Sequence, residues 1–262
     1  METGPILRTM IRNKLGVILI TLQIAFTMTV VINAIFIINE RSRLMARPSG
    51  LDEANTFFLT SVGFGDDFNE AVTVADDLAA LRQMPGVVNA TITNAIPVSG
   101  SGSNSGVRLV DDETAATSFA AYYRVDEHTI ETMDLELIAG RNFAAQDIQW
   151  RQGDERTATE QLIISCQLAS KLFPEQEPNA VLGETLFISG SQPHQVIGIV
   201  EQLQGPWPSN SNVELAMLQP MHSFFGSATY LIRTEPGERD RLMVEVEEML
   251  VASNGNRLIR NL

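Results

Sequence analysis

The feature that most constrains the fold is an uninterrupted apolar run near the start of the chain. Residues 15–38 are 24 residues without a single Asp, Glu, Lys or Arg. As a helix that rises about 1.5 Å per residue, the run is about 36 Å long, enough to cross a hydrocarbon layer of about 30 Å. We therefore predict a transmembrane helix over residues 15–38, preceded by a short segment, residues 1–14.

A signal peptide and a core helix are the two alternatives to a retained membrane helix. Signal peptides have an apolar stretch of about 7–15 residues before a small-residue cleavage site. This run is longer, and it ends in the sequence IINER at residues 37–41, with no A-x-A pattern. A core helix needs one polar face, whereas the polar residues here are mostly threonines, which membrane helices accommodate.

Basic residues flank the apolar run equally. Three precede it and three follow it: Arg8, Arg12 and Lys14, then Arg41, Arg43 and Arg47. We predict that these side chains flank the membrane. Because membrane proteins concentrate Lys and Arg on the cytoplasmic side, an equal count leaves the orientation open.

Two polar side chains inside the run, Gln23 and Asn33, would be costly in contact with lipid. They either hydrogen-bond to the backbone of their own helix or pack against neighbouring membrane helices. The sequence holds no second apolar run of about 18 residues, so such neighbours would come from elsewhere. Both alternatives stay open at this point.

Charge separates the head of the chain from the rest, which we call the body. Residues 1–47 carry six Lys/Arg and two Asp/Glu, whereas residues 48–262 carry 12 Lys/Arg and 30 Asp/Glu. The acidic body lacks the basic surface that nucleic-acid binding requires. An apolar fraction of 44% excludes a disordered protein, and the single cysteine, Cys166, excludes an intramolecular disulfide.

Residues 39–50 are predicted to continue the first helix beyond the membrane as a stalk. Their sequence, NERSRLMARPSG, has no helix breaker before Pro48 and Gly50. Proline and glycine commonly end helices, so the stalk is expected to stop there.

Hydrophobic periodicity predicts an α+β body. Residues 55–93 show the order strand–helix–strand, with apolar residues at i, i+4 and i+7 on the helix. The same order returns in residues 228–259, where Thr234 is predicted to cap the helix. Shorter strands and helices lie between, and a Gly/Ser-rich stretch at residues 99–106 is predicted to be a loop. Two separated β-α-β units indicate one split domain with another inserted into it.

Motifs for catalysis, metal binding and nucleotide binding are missing from the sequence. The histidines are His128, His194 and His222. They form no HExxH motif, and none stands at metal-ligand spacing from Cys166. Neither of the two lysines belongs to a P-loop, and acidic clusters at 66–70 and 111–113 do not match a calcium loop. We predict that these clusters are solvated loops and that the chain has no catalytic residue, cofactor or metal.

Six stretches, taken in order, carry a family resemblance. They are LRTMIRNKLGVILITLQIAFTMTVV (7–31), LRQMPGVVNAT (81–91), IETMDLELIAGRNFAAQD (130–147), IISCQLASKLFPEQEPNAVLGETL (163–186), VIGIVEQLQ (196–204) and YLIRTEPG (230–237). Their order and spacing resemble the permease subunits of MacB-type ABC transporters, which include macrolide exporters, lipoprotein-release permeases and FtsX-like permeases.

The resemblance implies an architecture and a location. The N-terminus would lie in the cytoplasm and the body in the periplasm, with the helix in the bacterial inner membrane. The body would have two lobes, a porter-like lobe of residues 51–104 and 205–262 and an inserted lobe of residues 105–204. The implied partners are an ABC ATPase, a second copy or paired permease, a periplasmic adaptor and membrane lipid. The implied role is mechanotransmission, in which ATP hydrolysis inside moves the domain outside.

The sequence departs from the family pattern in two respects. Ser165 and Cys166 stand where Asn-Glu is common, and Gly183-Glu184 stand where Gly-Lys is common. Family permeases continue with three further membrane helices after this domain. We therefore expect the chain to be a truncated form, a partial reading frame or half of a split permease.

Two other classes of function are compatible with a single anchor and an acidic body. One is a single-pass sensor or ligand-binding module, and the other is a membrane-tethered envelope enzyme. The enzyme would require a pocket that joins a histidine with carboxylates, which the structure tests.

Overall fold

The computed structural model describes residues 14–45, 47–152, 160–188 and 192–260. The chain divides into two compact units, one that ends at Arg47 and one that begins at Pro48. The first unit contains one long helix, and every described strand belongs to the second unit.

The first unit contains helix α1 (Lys14–Met45), which is continuous over 32 residues. Its large apolar side chains are exposed along the whole predicted span, residues 15–38. Since an exposed apolar helix is unfavourable in water, this surface requires an apolar surrounding.

Helix α1 ends earlier than the predicted stalk, residues 39–50. Its last described helical residue is Met45, and the backbone from Arg47 onward is not helical. Proline disfavours helical backbone in the residue before it, which accounts for the non-helical Arg47 before Pro48.

The second unit is built from thirteen described strands, five described α-helices and a 3-10 helix (Ala145–Asp147). The strands are β1 (Thr56–Gly63), β2 (Val87–Thr93), β3 (Ser103–Arg108), β4 (Ser118–Arg124), β5 (Leu137–Gly140), β6 (Gln149–Gln152), β7 (Gln161–Ser165), β8 (Thr185–Ile188), β9 (Gln192–Val200), β10 (Ala216–Gln219), β11 (Met221–Phe224), β12 (Ser227–Thr234) and β13 (Arg257–Arg260). The helices are α2 (Glu70–Leu81), α3 (Thr129–Met133), α4 (Cys166–Leu172), α5 (Pro178–Val181) and α6 (Arg239–Ser253).

The first sheet has four strands that come from the two ends of the second unit. Its order is β13-β1-β12-β2, and β12 pairs antiparallel with both β1 and β2. Strands of the first half therefore alternate with strands of the second half. Two β-α-β units interleaved in this way form a ferredoxin-like sheet.

Helices α2 and α6 cover one face of the four-stranded sheet. Asn69 caps α2, since its side chain accepts a hydrogen bond from the backbone N–H of Val72 at 3.2 Å. Leu242, Val246 and Leu250 form the buried stripe of α6 and pack in one cluster with the sheet and α2. On the other face, Leu231 packs in a cluster with side chains of the second sheet.

Thr234, the predicted cap of α6, is not a cap. It ends β12, and its hydroxyl donates to the backbone oxygen of Asn55 at 2.9 Å. The helix begins at Arg239 after a turn, so the prediction was wrong.

The second sheet has seven strands in the order β5-β9-β7-β10-β4-β3-β8. Because β8 pairs with β9 as well as with β3, the sheet closes on itself and leaves β5 at an edge. All seven strands lie between residues 103 and 219, whereas the predicted inserted lobe was residues 105–204. Residues 205–262 thus supply strands to both sheets.

The Gly/Ser-rich stretch at residues 99–106 is only partly a loop. Residues from Ser103 onward form β3, which pairs along its length with β4. Pairing to a neighbouring strand satisfies the backbone polar groups of this stretch, and buried Val107 anchors its end.

A third, two-stranded sheet consists of β6 and β11 in parallel. The ring of Trp150 on β6 stacks on Phe224 at a centroid distance of 5.7 Å and lies 4.8 Å from His222. This small sheet therefore places His222 under an aromatic ring.

Candidate functional site: the apolar helix and the polar contacts of the body

Helix α1 is the first candidate site, because its surface suits a membrane. Residues Lys14–Arg43 are long and apolar enough to cross a bilayer, and none of this span is buried against protein in the structure. The helix is thus a candidate membrane span.

The predicted flanking residues lie at both ends of this helix. Lys14 is exposed at its first described turn, and Arg41 and Arg43 are exposed near its last turn, about 40 Å away at 1.5 Å per residue. Arg43 forms an ion pair with Glu40 at 2.7 Å. Arg8 and Arg12 lie outside the described residues.

The polar residues within the helix differ in whether their side chains have hydrogen-bond partners. The hydroxyl of Thr29 donates to the backbone oxygen of Ala25 at 2.8 Å, which is bonding to the helix's own backbone. The side chains of Gln23 and Asn33 are exposed and find no hydrogen-bond partner among the described residues. The exposed amides therefore remain available to groups outside this chain segment.

A buried ion pair lies between the helices and the four-stranded sheet. The guanidinium of Arg257 on β13 donates to both carboxylate oxygens of Asp77 on α2, with Nη2 to Oδ1 at 3.0 Å. The Tyr230 hydroxyl donates to the same carboxylate at 2.5 Å, and Ser253 Oγ does so at 3.2 Å. Burial, and then the Asp77 charge, raise the pKa of the Tyr230 hydroxyl. Asp77, Tyr230 and Arg257 are buried and bonded to one another, so the role of the cluster is to hold the fold.

A second polar cluster, here called the inter-sheet seam, consists of Arg82, Thr91, Asp126 and Thr129. Asp126 follows β4 of the closed sheet and pairs with Arg82, which follows α2, at 3.1 Å. Its other oxygen accepts from the Thr91 hydroxyl of β2 at 2.7 Å and from the Thr129 hydroxyl at 3.0 Å. The inter-sheet seam therefore joins the two sheets by directional bonds rather than by apolar packing alone.

The three histidines are separated in the structure. His128 lies within 3.3 Å of the Asn89 amide, His194 is buried on β9, and His222 is buried on β11. Burial lowers the pKa of His222 to about 4, so its ring is neutral at pH 7. Within the described ranges no group of three His, Cys, Asp or Glu side chains could hold a metal ion. Cys166 is a half-buried free thiol at the start of α4.

One carboxylate in the acidic clusters does not behave as predicted. Asp66 and Asp67 are exposed as expected of a solvated loop, and residues 111–113 are exposed too. Glu70, in contrast, is buried and accepts a hydrogen bond from the backbone N–H of Gly226 at 2.5 Å. Burial raises the pKa of the Glu70 carboxyl, and the backbone N–H groups of Gly226 and Phe225 oppose this rise.

A family model described as the MacB-like periplasmic core domain matches residues 15–252 of the chain. The match confirms the family resemblance that the six sequence stretches carried. No curated protein matches the chain in sequence.

Three solved structures are similar to the chain. The periplasmic region of MacB from Actinobacillus actinomycetemcomitans has a TM-score of 0.50 and 17% identity, and the alignment covers 84% of this chain and 94% of that one. The extracellular domain of the noncanonic ABC-type transporter YknZ from Gram-positive bacteria has a TM-score of 0.47 and 16% identity, with coverages of 78% and 100%. A domain of a putative permease protein from Porphyromonas gingivalis has a TM-score of 0.44 and 18% identity, with coverages of 81% and 90%.

Proposed function

Because the chain belongs to the family of MacB-like periplasmic core domains, we propose that it is a non-catalytic permease component of an ABC transporter. In this role it couples ATP hydrolysis in the cytoplasm to movement outside the membrane, for export, lipoprotein release or mechanotransmission. The observation that carries the proposal is the extent of the family match, which runs from helix α1 into helix α6.

The proposed location is the bacterial inner membrane, with the N-terminus in the cytoplasm and the body in the periplasm. The apolar surface of α1 supports a membrane anchor, and the family is periplasmic by description. In this orientation Arg8, Arg12 and Lys14 stand at the cytoplasmic edge, and Arg41 and Arg43 stand at the periplasmic edge.

We assign Gln23 and Asn33 to contacts with other membrane helices. At about 100° per residue, the two side chains lie about 80° apart around the helix. Their exposed amides have no partner among the described residues, in contrast to the hydroxyl of Thr29. Polar residues on one helix face are typical of interfaces between membrane helices.

The proposed partners are an ABC ATPase, a second copy or a paired permease, and a periplasmic adaptor. The ATPase follows from the family, since permeases of ABC transporters work with one. In the body, the proposed porter-like lobe is residues 51–104 and 205–262, and the inserted lobe is residues 105–204. The two sheets described above support a division of this kind, with the difference that β10 (Ala216–Gln219) belongs to the seven-stranded sheet.

The orientation is tested by labelling single cysteines in intact cells with the outer membrane removed. In a Cys166→Ser background, Ser101→Cys places a thiol on an exposed loop of the body, and Thr3→Cys places one before the helix. We expect a membrane-impermeant maleimide to label Ser101→Cys at once and Thr3→Cys only after permeabilisation. The opposite pattern, or equal labelling of both, would refute the proposed topology.

Coupling is tested with the chain co-purified with its ATPase and placed in lipid nanodiscs. An environment-sensitive dye on Ser101→Cys reports movement of the body when ATP is added. Replacing the end of α1 by Arg41→Gly, Ser42→Gly and Arg43→Gly should abolish the ATP-dependent signal while hydrolysis continues, because glycine weakens a helix by about 1 kcal/mol per residue.

The matched control for coupling is Arg41→Ala, Ser42→Ala and Arg43→Ala. It removes the same side chains but preserves the helix, so the signal per ATP should persist. An undiminished signal in the glycine variant contradicts coupling through this segment, and failure of any ATPase to co-purify contradicts the proposed function.

A further inference from the structure

The second unit begins with residues 48–55, here called the link, which join the end of the first unit to strand β1. No residue of the link is helical or belongs to a strand. Because the link is the covalent connection between the two units, a movement of helix α1 that travels along the chain enters the body through it. The contacts of the link therefore decide where in the body that movement arrives.

One buried residue holds the start of the link. Gln204 is 1% exposed in the loop after β9, and its Nε2 donates to the backbone oxygen of Pro48 at 2.7 Å. Its backbone N–H donates to the backbone oxygen of Ser49 at 2.9 Å. Its own backbone oxygen accepts from the Tyr123 hydroxyl of β4 at 2.6 Å. Gln204 therefore ties the link to a central strand of the closed sheet.

Close backbone packing at Gly50 adds to these bonds. Its φ of +85° lies in the left-handed region that favours glycine. A Cβ at this position would lie 2.4 Å from the backbone oxygen of Gln202 and 3.1 Å from Cα of Leu203. Gly50 thus allows the link to lie directly on the loop that carries Gln204.

The end of the link is attached to the four-stranded sheet instead. The backbone oxygen of Asn55 accepts hydrogen bonds from the backbone N–H and the hydroxyl of Thr234 on β12, both at 2.9 Å. Asp52 lies 3.6 Å from the guanidinium of Arg233 on the same strand. The link therefore has two attachments, the first to the closed sheet and the second to the four-stranded sheet.

Apolar packing of the link is incomplete between these attachments. Leu51 packs against the core that the two sheets share, but it is only half-buried and lines two cavities, of about 660 Å³ and about 300 Å³. Atoms that border a cavity lack packing partners on that side. The start of the link therefore depends on the polar bonds of Gln204 and on the fit of Gly50.

We propose that Gln204 and Gly50 form a clamp that transmits movement of helix α1 to the closed sheet without slack. This inference rests on the proposed coupling function and adds to it the place where the movement enters the body. A pull on Pro48 acts on Gln204 and, through it, on Tyr123 of β4. With the clamp open, residues 48–51 would supply up to about 13 Å of slack, at about 3.3 Å per residue, before the second attachment.

A first experiment measures whether the clamp holds the link, and it needs no ATPase. Ser49 is 2% exposed, so Ser49→Cys in a Cys166→Ser background should react slowly with a maleimide when the full chain is in nanodiscs. Gln204→Met removes the Nε2 donor and should raise the labelling rate about fivefold or more, because a lost hydrogen bond favours local opening. The control is Gln202→Met, since the side chain of Gln202 has no hydrogen bond among the described residues. It should leave the rate unchanged.

Gly50→Ala provides a second way to open the clamp. The added Cβ would clash with the backbone oxygen of Gln202, so the link has to move away and Ser49→Cys should label faster. Gly65→Ala is the matched control, because Gly65 has a similar φ of +82° and its added Cβ would meet no described atom within 4 Å beyond its chain neighbours. Unchanged labelling in both Gln204→Met and Gly50→Ala would overturn the proposed clamp.

A second experiment measures transmission, with the ATPase bound and the dye on Ser101→Cys. Gln204→Met and Gly50→Ala should lower the signal per ATP hydrolysed because of the slack, whereas Gln202→Met and Gly65→Ala should preserve it. An absent signal in the parent chain contradicts the proposed function and, with it, this inference. A parent signal that both clamp variants retain in full, although their links label faster, contradicts this inference alone.

Discussion

The four-stranded sheet and the closed seven-stranded sheet differ in what lies at their centres. Beside an apolar cluster that includes Leu59 and Leu81, the four-stranded sheet and its helices enclose a charged one. In it, Arg257, Tyr230 and Ser253 all bond to Asp77. The closed sheet encloses aliphatic side chains such as Leu162, Ile164 and Leu186, all of which are fully buried.

The difference follows from how each sheet is encoded. The closed sheet uses one continuous stretch of chain, whereas the four-stranded sheet unites two halves, and Asp77 and Arg257 are 180 residues apart. Apolar contacts are not directional, so they do not distinguish one compatible strand from another. We infer that the ion pair specifies the correct joining of the halves, at the cost of dehydrating two charges.

The largest effect is expected from removing one partner of that ion pair. Asp77→Ala should lower the free energy of unfolding by about 3–5 kcal/mol, because it leaves Arg257 charged and buried. Urea unfolding of the full chain in neutral detergent, followed by tryptophan fluorescence, measures it, since Trp150 and Trp207 both lie in the body. The control, Asp77→Leu with Arg257→Met, should recover most of the loss, and a loss of under about 1 kcal/mol in the single variant would refute a stabilising pair.

A cavity made in the closed sheet should lower the free energy of unfolding by somewhat less. Leu162→Ala is expected to lower the free energy of unfolding by about 2–4 kcal/mol, because it empties space in a fully buried aliphatic cluster. The same urea titration measures it, with exposed Leu258→Ala as the control that should change little. Equal losses in the two variants would argue that the closed sheet does not depend on its aliphatic packing.

A smaller effect is expected from removing the hydroxyl of Tyr230 while its ring stays in place. Tyr230→Phe keeps the packing but removes the bond to Asp77, so we expect a loss of about 1.5–2 kcal/mol. The matched control is Tyr122→Phe, since Tyr122 is half-buried on β4 and its side chain has no hydrogen bond among the described residues. A neutral result for Tyr230→Phe would restrict the charged cluster to Asp77 and Arg257.

The smallest effect concerns Glu70, which also joins the two halves through its bond to Gly226. Burial raises the pKa of this carboxyl, so the folded state keeps a proton at pH values where the unfolded state has lost it. The free energy of unfolding therefore falls as pH rises through this range. Glu70→Gln keeps an acceptor for Gly226 and should remove this fall.

The measurement for Glu70 is urea unfolding between pH 4 and pH 7. We expect the stability difference between Glu70→Gln and the parent to grow in favour of the variant as pH rises. Asp67→Asn changes the charge of the neighbouring exposed loop and serves as the control. A difference that shrinks with rising pH would contradict the assigned direction of the pKa shift.

The sequence predicted the elements with strong periodicity. Helix α2 and the stripe on α6 follow from apolar spacing, and the strands at both ends of the body follow from alternation. These signals are local, so one stretch of sequence is enough to recognise them. The α+β class was confirmed for the same reason.

Long-range contacts were the part that the sequence did not reveal. Ser103 to Gly106 look like a linker, and only pairing with β4 makes them a strand. The partners Asp77 and Arg257 are far apart in the chain. Acidic and basic residues both occur many times in it, so the sequence does not show which of them pair. The bonds from Gln204 to Pro48 and Ser49 likewise join residues that lie far apart in the chain.

The split of the four-stranded sheet has a consequence during synthesis. About 130 residues separate the end of β2 from the start of β12, and at about 5–20 residues per second a ribosome needs roughly 7–25 s to make them. During this interval β1 and β2 await the strand that belongs between them, while the closed sheet is made without interruption. The time for which the half-sheet exposes its unpaired edges is therefore set by the speed of translation through the intervening strands.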